Sequence, residues 1–210
     1  MELLEQISEF LIQGEEKKVS ALTSQAIEQQ VAPKEILDQG LIAGMEVVGE
    51  KFRKHEVFLP DVLLASKAMY AGLDKIKPLL AKEGIPSLGK VVIGTVHGDL
   101  HDIGKNLVSI MLKGAGYEVI DLGKDVPAGR FIEVAQKEEA KVIGMSALLT
   151  TTMPVMKDVM HLLQEEGLTG RIKTIIGGAP ASKDFAQEIG ADAYGFDAAK
   201  AVELVKELVD

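Results

Sequence analysis

The sequence predicts an α/β protein in which an all-helical N-terminal domain precedes a domain built on a parallel β-sheet. Two observations lead to this division. Apolar residues recur at helical spacing through residues 1–86, whereas short runs rich in Val and Ile alternate with helical stretches through residues 87–210. Between the two patterns, residues 84–89 (GIPSLG) have the composition of a linker. We therefore place the domain boundary after residue 86.

The N-terminal domain is predicted to be a four-helix bundle. The predicted helices cover residues 3–11, 19–31, 33–52 and 59–80. Pro33 and Pro60 stand at helix starts, where the missing proline N–H is not needed for a helical hydrogen bond. Amphipathic helices joined by short connections are typical of a bundle.

The C-terminal domain is predicted to be a doubly wound parallel sheet of about five strands, the flavodoxin-like or Rossmann-like arrangement. The candidate strands are residues 90–96, 117–123, 141–147 and 172–178 and a short strand around Ala193-Tyr194. Helical stretches separate them, and a last helix extends from Ala198 to Leu208. In such a sheet, ligands bind beyond the carboxyl ends of the strands, where the strand order reverses. The residues after the first and third strands are therefore the candidates for a binding site.

The composition excludes several kinds of site and surface. The chain contains no Cys, so disulfides, thiolate metal sites and a cysteine nucleophile are ruled out. A net charge of −9 and the absence of Trp argue against surfaces for nucleic acid or anionic membranes. No apolar run reaches the roughly 18 residues of a membrane helix, and the N-terminus lacks the pattern of a secretory signal. We expect a cytoplasmic protein that binds neither nucleic acid nor membrane.

The segment after the first strand, residues 97–106 (HGDLHDIGKN), contains the residues best suited to chemistry. Within it, Asp99, His101 and Gly104 form the pattern D-x-H-x-x-G. A neutral imidazole binds a transition metal through one nitrogen, and a nearby carboxylate can fix the tautomer through the other. Gly104 lets a bulky group approach the backbone closely. Taken alone, however, a loop histidine is more often solvated or structural than a metal ligand.

The sequence GDLHDIGKN resembles the cobalamin-binding signature of methionine synthase and of the corrinoid proteins of methanol, methylamine and methoxyarene methyl transfer. The resemblance covers nearly the whole chain. It implies a cofactor, cobalamin or a related corrinoid in its methylcobalamin form, whose cobalt takes His101 as its lower axial ligand. It also implies that Asp99 and Thr152 modulate this histidine. The other loop residues that it implies around the cofactor are Gly98, Leu100, Asp102, Ile103 and Gly104.

The resemblance further implies a pocket for the nucleotide tail of the cofactor. Ser146-Ala147-Leu148 stands in register with the Ser-x-Leu of the family after the third strand, and Thr152 replaces a serine of the family. The residues assigned to this pocket are Ser146, Leu148, Thr150, Gly177, Gly178 and Ala198. By themselves, such hydroxyls and glycine pairs are also typical of helix caps and turns.

In the helical half, Phe52, Leu59 and Val62 stand at the spacing of the apolar residues that cap the upper face of the corrin in methionine synthase. Such a cap excludes water from a reactive metal–carbon bond. The alternative is that these three residues belong to the bundle core. Asp38 stands where the family has a Glu near the side chains of the cofactor, and residues 84–89 are the predicted hinge of the cap.

The resemblance implies a methyl carrier. Such a protein accepts a methyl group on cobalt from a substrate-specific methyltransferase and delivers it to an acceptor methyltransferase, while the cobalt alternates between Co(I) and methyl-Co(III). A reductive activation protein is a further implied partner, and the chain would be a component of a methyltransferase rather than a complete enzyme. Three alternatives remain at this point: the small subunit of an adenosylcobalamin-dependent mutase, a cobalamin-binding sensor or regulator, and a flavodoxin-like domain that binds no corrinoid.

Overall fold

A computed structural model describes residues 2–82 and 88–209, and within it the chain divides into two compact units. The first unit contains the N-terminal helices together with Lys113–Gly116. The second contains Leu88–Leu112 and the chain from Tyr117 onward. Most of the predicted hinge, residues 84–87, lies outside the described residues. No helix in the described part is long and apolar enough to cross a membrane.

The helical domain of the first unit contains only helices and the short connections between them in its described part. Its elements are α1 (Glu2–Ile12), α2 (Glu16–Glu28), α3 (Pro33–Glu35), a π-helical segment (Ile36–Ile42), α4 (Ala43–Arg53) and α5 (Leu59–Lys82). The α1 helix packs against α2, the π-helical segment and α4, while α5 packs against α2 and α4. The predicted all-helical bundle is confirmed, and its third helix is a continuous run with a π-helical segment inside. A π-helical turn is only slightly wider than an α-helical one, so it barely changes the spacing of apolar residues. The sequence pattern therefore does not predict it.

Two glycines allow α1 to lie close to the third helical run. A Cβ atom at Gly40 would lie 3.1 Å from Cγ2 of Ile7, and one at Gly44 would lie 3.1 Å from Cδ2 of Leu11. Both Ile7 and Leu11 are fully buried. The close approach of backbone and apolar side chain therefore forms part of the bundle core.

Within the described residues, the second unit contains a five-stranded parallel sheet in the order β2-β1-β3-β4-β5. Its strands are β1 (Lys90–Thr95), β2 (Glu118–Asp121), β3 (Val142–Ser146), β4 (Lys173–Gly177) and β5 (Ala193–Gly195). Its helices are α6 (Ile103–Gly114), α7 (Ala128–Lys137), α8 (Pro154–Glu165), α9 (Lys183–Ile189) and α10 (Ala198–Val209). The predicted doubly wound sheet is confirmed, and its strand order reverses between β1 and β3.

The register of the sheet aligns the ends of its strands. Thr95, Ser146, Gly177 and Gly195 are neighbours across β1, β3, β4 and β5 at the carboxyl edge. Below this edge, an apolar cluster joins the strands to α7, α8 and α9, with Phe131 fully buried in it. The loops that follow β1 and β3 thus start side by side on a rigid support.

Position 178, directly after β4, requires glycine because of its backbone conformation and the atoms that surround it. Its φ angle is +121°, and a Cβ atom there would lie 1.8 Å from the carbonyl oxygen of Ala147. We expect Gly178→Ala to lower the free energy of unfolding by about 3 kcal/mol or more, because it combines backbone strain with a clash against backbone atoms. Urea unfolding of the apoprotein measures this loss.

Gly129→Ala is the matched control. Gly129 lies in α7, and a Cβ atom there would meet no atom within 4 Å. This variant should change stability by less than about 1 kcal/mol, since Ala favours helix over Gly. Equal unfolding midpoints for the two variants would contradict the assignment of Gly178.

Candidate functional site

Asp99 is the centre of the candidate site. It lies in the loop between β1 and α6, and it is fully buried. Its Oδ1 atom accepts hydrogen bonds from the backbone N–H of His101 at 3.0 Å and from Nδ1 of the His101 ring at 2.8 Å. Its Oδ2 atom accepts from the backbone N–H groups of Leu148 at 2.8 Å and Leu149 at 3.2 Å, and from Oγ1 of Thr152 at 2.8 Å. One carboxylate therefore joins the loop after β1 to the loop after β3.

These hydrogen bonds determine the charge of Asp99. Burial opposes ionisation, but the N–H groups of His101 and Leu148, the Thr152 hydroxyl and the His101 ring hold the pKa of Asp99 well below its ordinary value of 3.8. An ionised carboxylate only accepts hydrogen bonds, so Nδ1 of His101 carries the proton. The free lone pair of the neutral ring is then on Nε2.

His101 is fixed at both its ring and its backbone. Besides the contact between Nδ1 and Asp99, its carbonyl oxygen accepts a hydrogen bond from Oγ1 of the buried Thr95 at 3.1 Å. The side chain is nevertheless 51% exposed. The loop thus presents one imidazole nitrogen in a defined direction.

The two loops that Asp99 joins expose apolar side chains. Leu100 and Ile103 are exposed in the loop after β1 and at the start of α6, with Ile103 reaching 75%. Leu148 and Leu149, whose N–H groups bind Asp99, are also exposed. Apolar side chains grouped at a protein surface indicate a binding site for a ligand or a partner.

Gly98 and Gly104 differ in whether their backbone conformation requires glycine. Gly98 has a φ angle of +81°, which side chains rarely adopt. Gly104 was assigned to a loop, but it lies in the first turn of α6 and needs no special backbone conformation. The carbonyl oxygen of Asp102 accepts the N–H of Asn106 at 2.8 Å and so begins this helix. A Cβ atom at Gly104 would meet nothing within 4 Å, so the space on that side of the residue is open.

The residues assigned to the tail pocket lie at the carboxyl edge of the sheet. Ser146 is half-buried at the end of β3, and Thr150 is exposed in the turn that follows. Gly177 ends β4 and Gly178 follows it, while the buried Ala198 begins α10 after the last strand. The fold therefore brings these residues to one side of the sheet, and their contacts with a cofactor remain a prediction.

The residues assigned to the apolar cap differ in exposure. Leu59 is exposed at the start of α5, and Phe52 is half-buried in α4. Val62 is fully buried, so it belongs to the core of the helical unit, which was the alternative for all three residues. Asp38 lies in the π-helical segment and pairs with Lys34.

The sequence prediction omitted other exposed apolar residues of the helical unit. They include Phe58, Leu63 and Leu64, and we call these three, together with Leu59, the apolar cap surface. Phe58, with an exposed fraction of 66%, stands just before α5, where its backbone N–H donates to Oδ2 of Asp61 at 2.8 Å. The spacing of Leu59 and Leu63, one helical turn apart, was a usable signal for this surface.

The prediction also omitted Asp125, in the loop between β2 and α7. Its Oδ1 atom accepts the backbone N–H of Gly98 at 2.7 Å and lies 2.8 Å from Nδ1 of His97. A usable signal was the flavodoxin-like arrangement, because β2 is the neighbour of β1 in that strand order.

Family models and solved structures identify the relatives of this chain. Two models described as B12 binding domains match residues 89–204 and residues 3–77. Dimethylamine corrinoid protein 1 of Methanosarcina acetivorans is 46% identical over 99% of this chain and 98% of the relative.

Two solved structures are also similar to the chain. A chain of the methanol:cobalamin methyltransferase complex from Methanosarcina barkeri matches with a TM-score of 0.88 and 35% identity, over 99% of this chain and 80% of the other. A cobalamin-binding protein from Desulfitobacterium hafniense matches with a TM-score of 0.82 and 32% identity, over 99% and 98% of the two chains. The similarity extends through both the helical and the sheet regions, and we conclude that this chain belongs to the family of B12-binding corrinoid proteins.

Proposed function

We propose that this protein is a corrinoid methyl carrier. It holds cobalamin or a related corrinoid with His101 as the lower axial ligand of cobalt, receives a methyl group from one methyltransferase and delivers it to another. The observation that carries the proposal is the Asp99–His101 pair, in which Nδ1 is bound to a buried carboxylate and Nε2 keeps its lone pair. The relatives named as corrinoid proteins of methyl transfer support it.

The residues of the site fit such a cofactor. His101 would supply one nitrogen ligand, and the corrin ring itself carries the other nitrogen ligands of its cobalt. The exposed side chains of Leu100, Ile103 and Leu148 suit contact with a large, mostly apolar ring, and Gly104 leaves its surroundings open. When bound, the corrinoid supplies a cobalt centre that carries the methyl group.

The protein groups control the direction and basicity of the histidine. The fixed negative charge of Asp99 favours the proton on Nδ1 of His101 and raises the electron density of the ring. The Thr152 hydroxyl lies 2.8 Å from Oδ2 of Asp99 and 2.9 Å from the carbonyl oxygen of Leu149. Since a hydroxyl has one proton, it donates to only one of them at a time. Thr152 thus adjusts how much of the negative charge of Asp99 acts on His101.

For the nucleotide tail of the cofactor, we propose a site at the carboxyl ends of β3 and β4. Ser146 and Thr150 offer hydroxyl groups there, and Gly177 and Gly178 lie at the end of β4, where Gly177 is the neighbour of Ser146 in the sheet. Ala198 contributes a small side chain at the start of α10.

For the opposite face of the corrin, we propose the apolar cap surface together with Phe52. Val62 supports this surface from the bundle core rather than forming it.

The proposed partners are a substrate-specific methyltransferase, an acceptor methyltransferase and a reductive activation protein. As a carrier, the chain acts as a component of a methyltransferase. Similarity to methyl-transfer corrinoid proteins over 99% of the chain favours this role over a mutase subunit or a cobalamin-dependent regulator.

Histidine ligation is the first prediction of this function. The protein reconstituted with Co(II) cobalamin should show nitrogen hyperfine splitting in its paramagnetic resonance spectrum, and ring-15N histidine should change that splitting. In His101→Ala the splitting should no longer respond to the 15N histidine label, because the histidine that binds cobalt is gone. His161→Ala is the control, since His161 is exposed on α8 and pairs with Glu165. A protein that binds no corrinoid would overturn the function, and binding without histidine ligation would overturn the role of His101.

The charge of Asp99 gives a prediction for the apoprotein. Asp99→Asn should lower the free energy of unfolding at pH 7 by about 3 kcal/mol, because an amide cannot accept from every donor around this buried position. The folded pKa of Asp99 lies below 3.8, so its contribution is complete above that pH and is lost as the pH falls below it.

The stability difference between the wild type and Asp99→Asn should therefore narrow below about pH 4. Urea unfolding at several pH values measures it, with Asp158→Asn, an exposed residue of α8, as the control. A difference that stays constant with pH would show that Asp99 is not ionised in the folded state.

The proposed cap surface leads us to expect different effects from substitutions at the neighbouring residues Val62 and Leu63. Leu63→Ser should leave the apoprotein as stable as the wild type but accelerate ligand exchange on the upper face of bound aquacobalamin, because Leu63 is exposed. Val62→Ser should destabilise the apoprotein by about 2 kcal/mol, because a buried apolar side chain is lost and a hydroxyl is buried. Cyanide exchange kinetics and urea unfolding separate the two effects. Equal exchange rates for Leu63→Ser and the wild type would contradict the proposed cap.

A further inference from the structure

The loop that carries Asp99 is held from a second side by the loop after β2. The backbone N–H of Thr95 donates to the carbonyl oxygen of Gly123 at 2.9 Å, and that of Val126 donates to the carbonyl oxygen of Thr95 at 3.0 Å. These bonds continue the pairing of β1 and β2 beyond the ends of the strands. The two loops therefore leave the sheet side by side.

Asp125 makes the last connections between these loops. Its backbone N–H donates to the carbonyl oxygen of Asp99 at 3.1 Å, and its Oδ1 atom accepts the backbone N–H of Gly98 at 2.7 Å. The same oxygen lies 2.8 Å from Nδ1 of His97. Hydrogen bonds from the Gly98 N–H and the nearby His97 hold the pKa of Asp125 below its ordinary value. Its carboxylate is thus an ionised acceptor for the Gly98 N–H.

Both residues joined by this bond have left-handed backbones. Gly98 has a φ angle of +81° and Asp125 one of +58°. Asp and Asn tolerate this conformation better than most residues with a side chain. The turn at Gly98 directs the chain into Asp99, and the carboxylate of Asp125 stabilises that turn from outside.

We propose that Asp125 is a positioning residue for His101, and this inference rests on the proposed function. Asp125 does not contact the imidazole. It fixes the backbone of Gly98, the residue before Asp99, and Asp99 in turn fixes the Nδ1 atom of His101. The loop between β1 and α6, which we call the ligand loop, is therefore held between two neighbouring loops. Asp125 holds it on the β2 side, and Leu148, Leu149 and Thr152 hold it on the β3 side.

Two variants separate the side chain of Asp125 from its backbone. Asp125→Gly removes the carboxylate but accepts the left-handed φ and keeps the N–H that binds Asp99. Asp125→Asn keeps an oxygen that can accept the Gly98 N–H. We expect Asp125→Gly to disturb His101 and Asp125→Asn to behave like the wild type.

Asp192→Ala is the control for a loss of stability. Asp192 accepts hydrogen bonds from the backbone N–H and Oγ1 of Thr174, at 2.8 and 2.9 Å, and it lies just before β5. Its removal takes away a comparable carboxylate without touching the ligand loop.

The first readout is the tautomer of His101 in the apoprotein, measured by 15N magnetic resonance of the histidine rings at a pH where they are neutral. The wild type should hold the proton on Nδ1, and Asp125→Gly should lose this preference. The second readout is corrinoid binding, which should weaken roughly tenfold in Asp125→Gly, the size expected for a partly exposed hydrogen bond to a charged group. In the bound Co(II) form, a smaller fraction of the cobalt should carry the histidine nitrogen.

The outcomes distinguish the inference from the proposed function. If the wild type binds corrinoid through His101 and Asp125→Gly does so to the same extent, Asp125 is structural and the inference is wrong. If Asp192→Ala shifts the His101 tautomer as much as Asp125→Gly, general stability explains the effect, and the inference is again wrong. If the wild type itself shows no histidine ligation, the proposed function fails, while the tautomer measurement in the apoprotein still tests whether Asp125 positions the ring.

Discussion

The fold of the second unit is organised around a buried negative charge. A carboxylate removed from water is costly unless donors replace its hydration, and Asp99 has them from its own loop and from the loop after β3. The donors of the loop after β3 reach Asp99 only when β1 and β3 lie side by side, so the ionised state of Asp99 depends on the completed sheet. The same charge then fixes the proton on Nδ1 of His101 and leaves the lone pair on Nε2, the atom proposed to bind cobalt. The Asp99 carboxylate therefore both stabilises the fold and orients the imidazole of His101.

The strand order explains why one short loop is so well supported. Because β1 lies between β2 and β3, the loop that follows it has a neighbouring loop on either side. Asp125 and Thr152 are far from Asp99 in sequence, yet each reaches the segment from Gly98 to Asp99 from one of these neighbours. Loops are usually the mobile parts of a domain, and a ligand loop that must aim one nitrogen benefits from such support. The topological switch point provides the support as well as the space for a ligand.

The sequence was sufficient for features that depend on local patterns and insufficient for those that depend on register. The strands were found because each is an apolar run, and the Asp99–His101 bond was predictable because two residues of one loop form it. Val62 was assigned to the cap although it is buried, because apolar spacing defines a helix face but not which apolar residues stay exposed. Asp125 was missed because its contact with Gly98 depends on how two loops align after the strands end. Gly104 was placed in a loop because a glycine gives no signal for the first turn of a helix.

The threonine at position 152 has a defined neighbour for both its methyl group and its hydroxyl. Its methyl group, Cγ2, lies 3.4 Å from the place where a Cβ atom at Gly98 would stand, so the methyl faces the turn that leads into Asp99. A branched side chain has fewer accessible rotamers than serine, and here the methyl and the hydroxyl each have a defined neighbour. The hydroxyl remains 2.8 Å from Oδ2 of Asp99. Threonine therefore loses less rotational freedom than serine would when it is held in this contact, and this favours the arrangement that keeps the carboxylate ionised and the imidazole aimed.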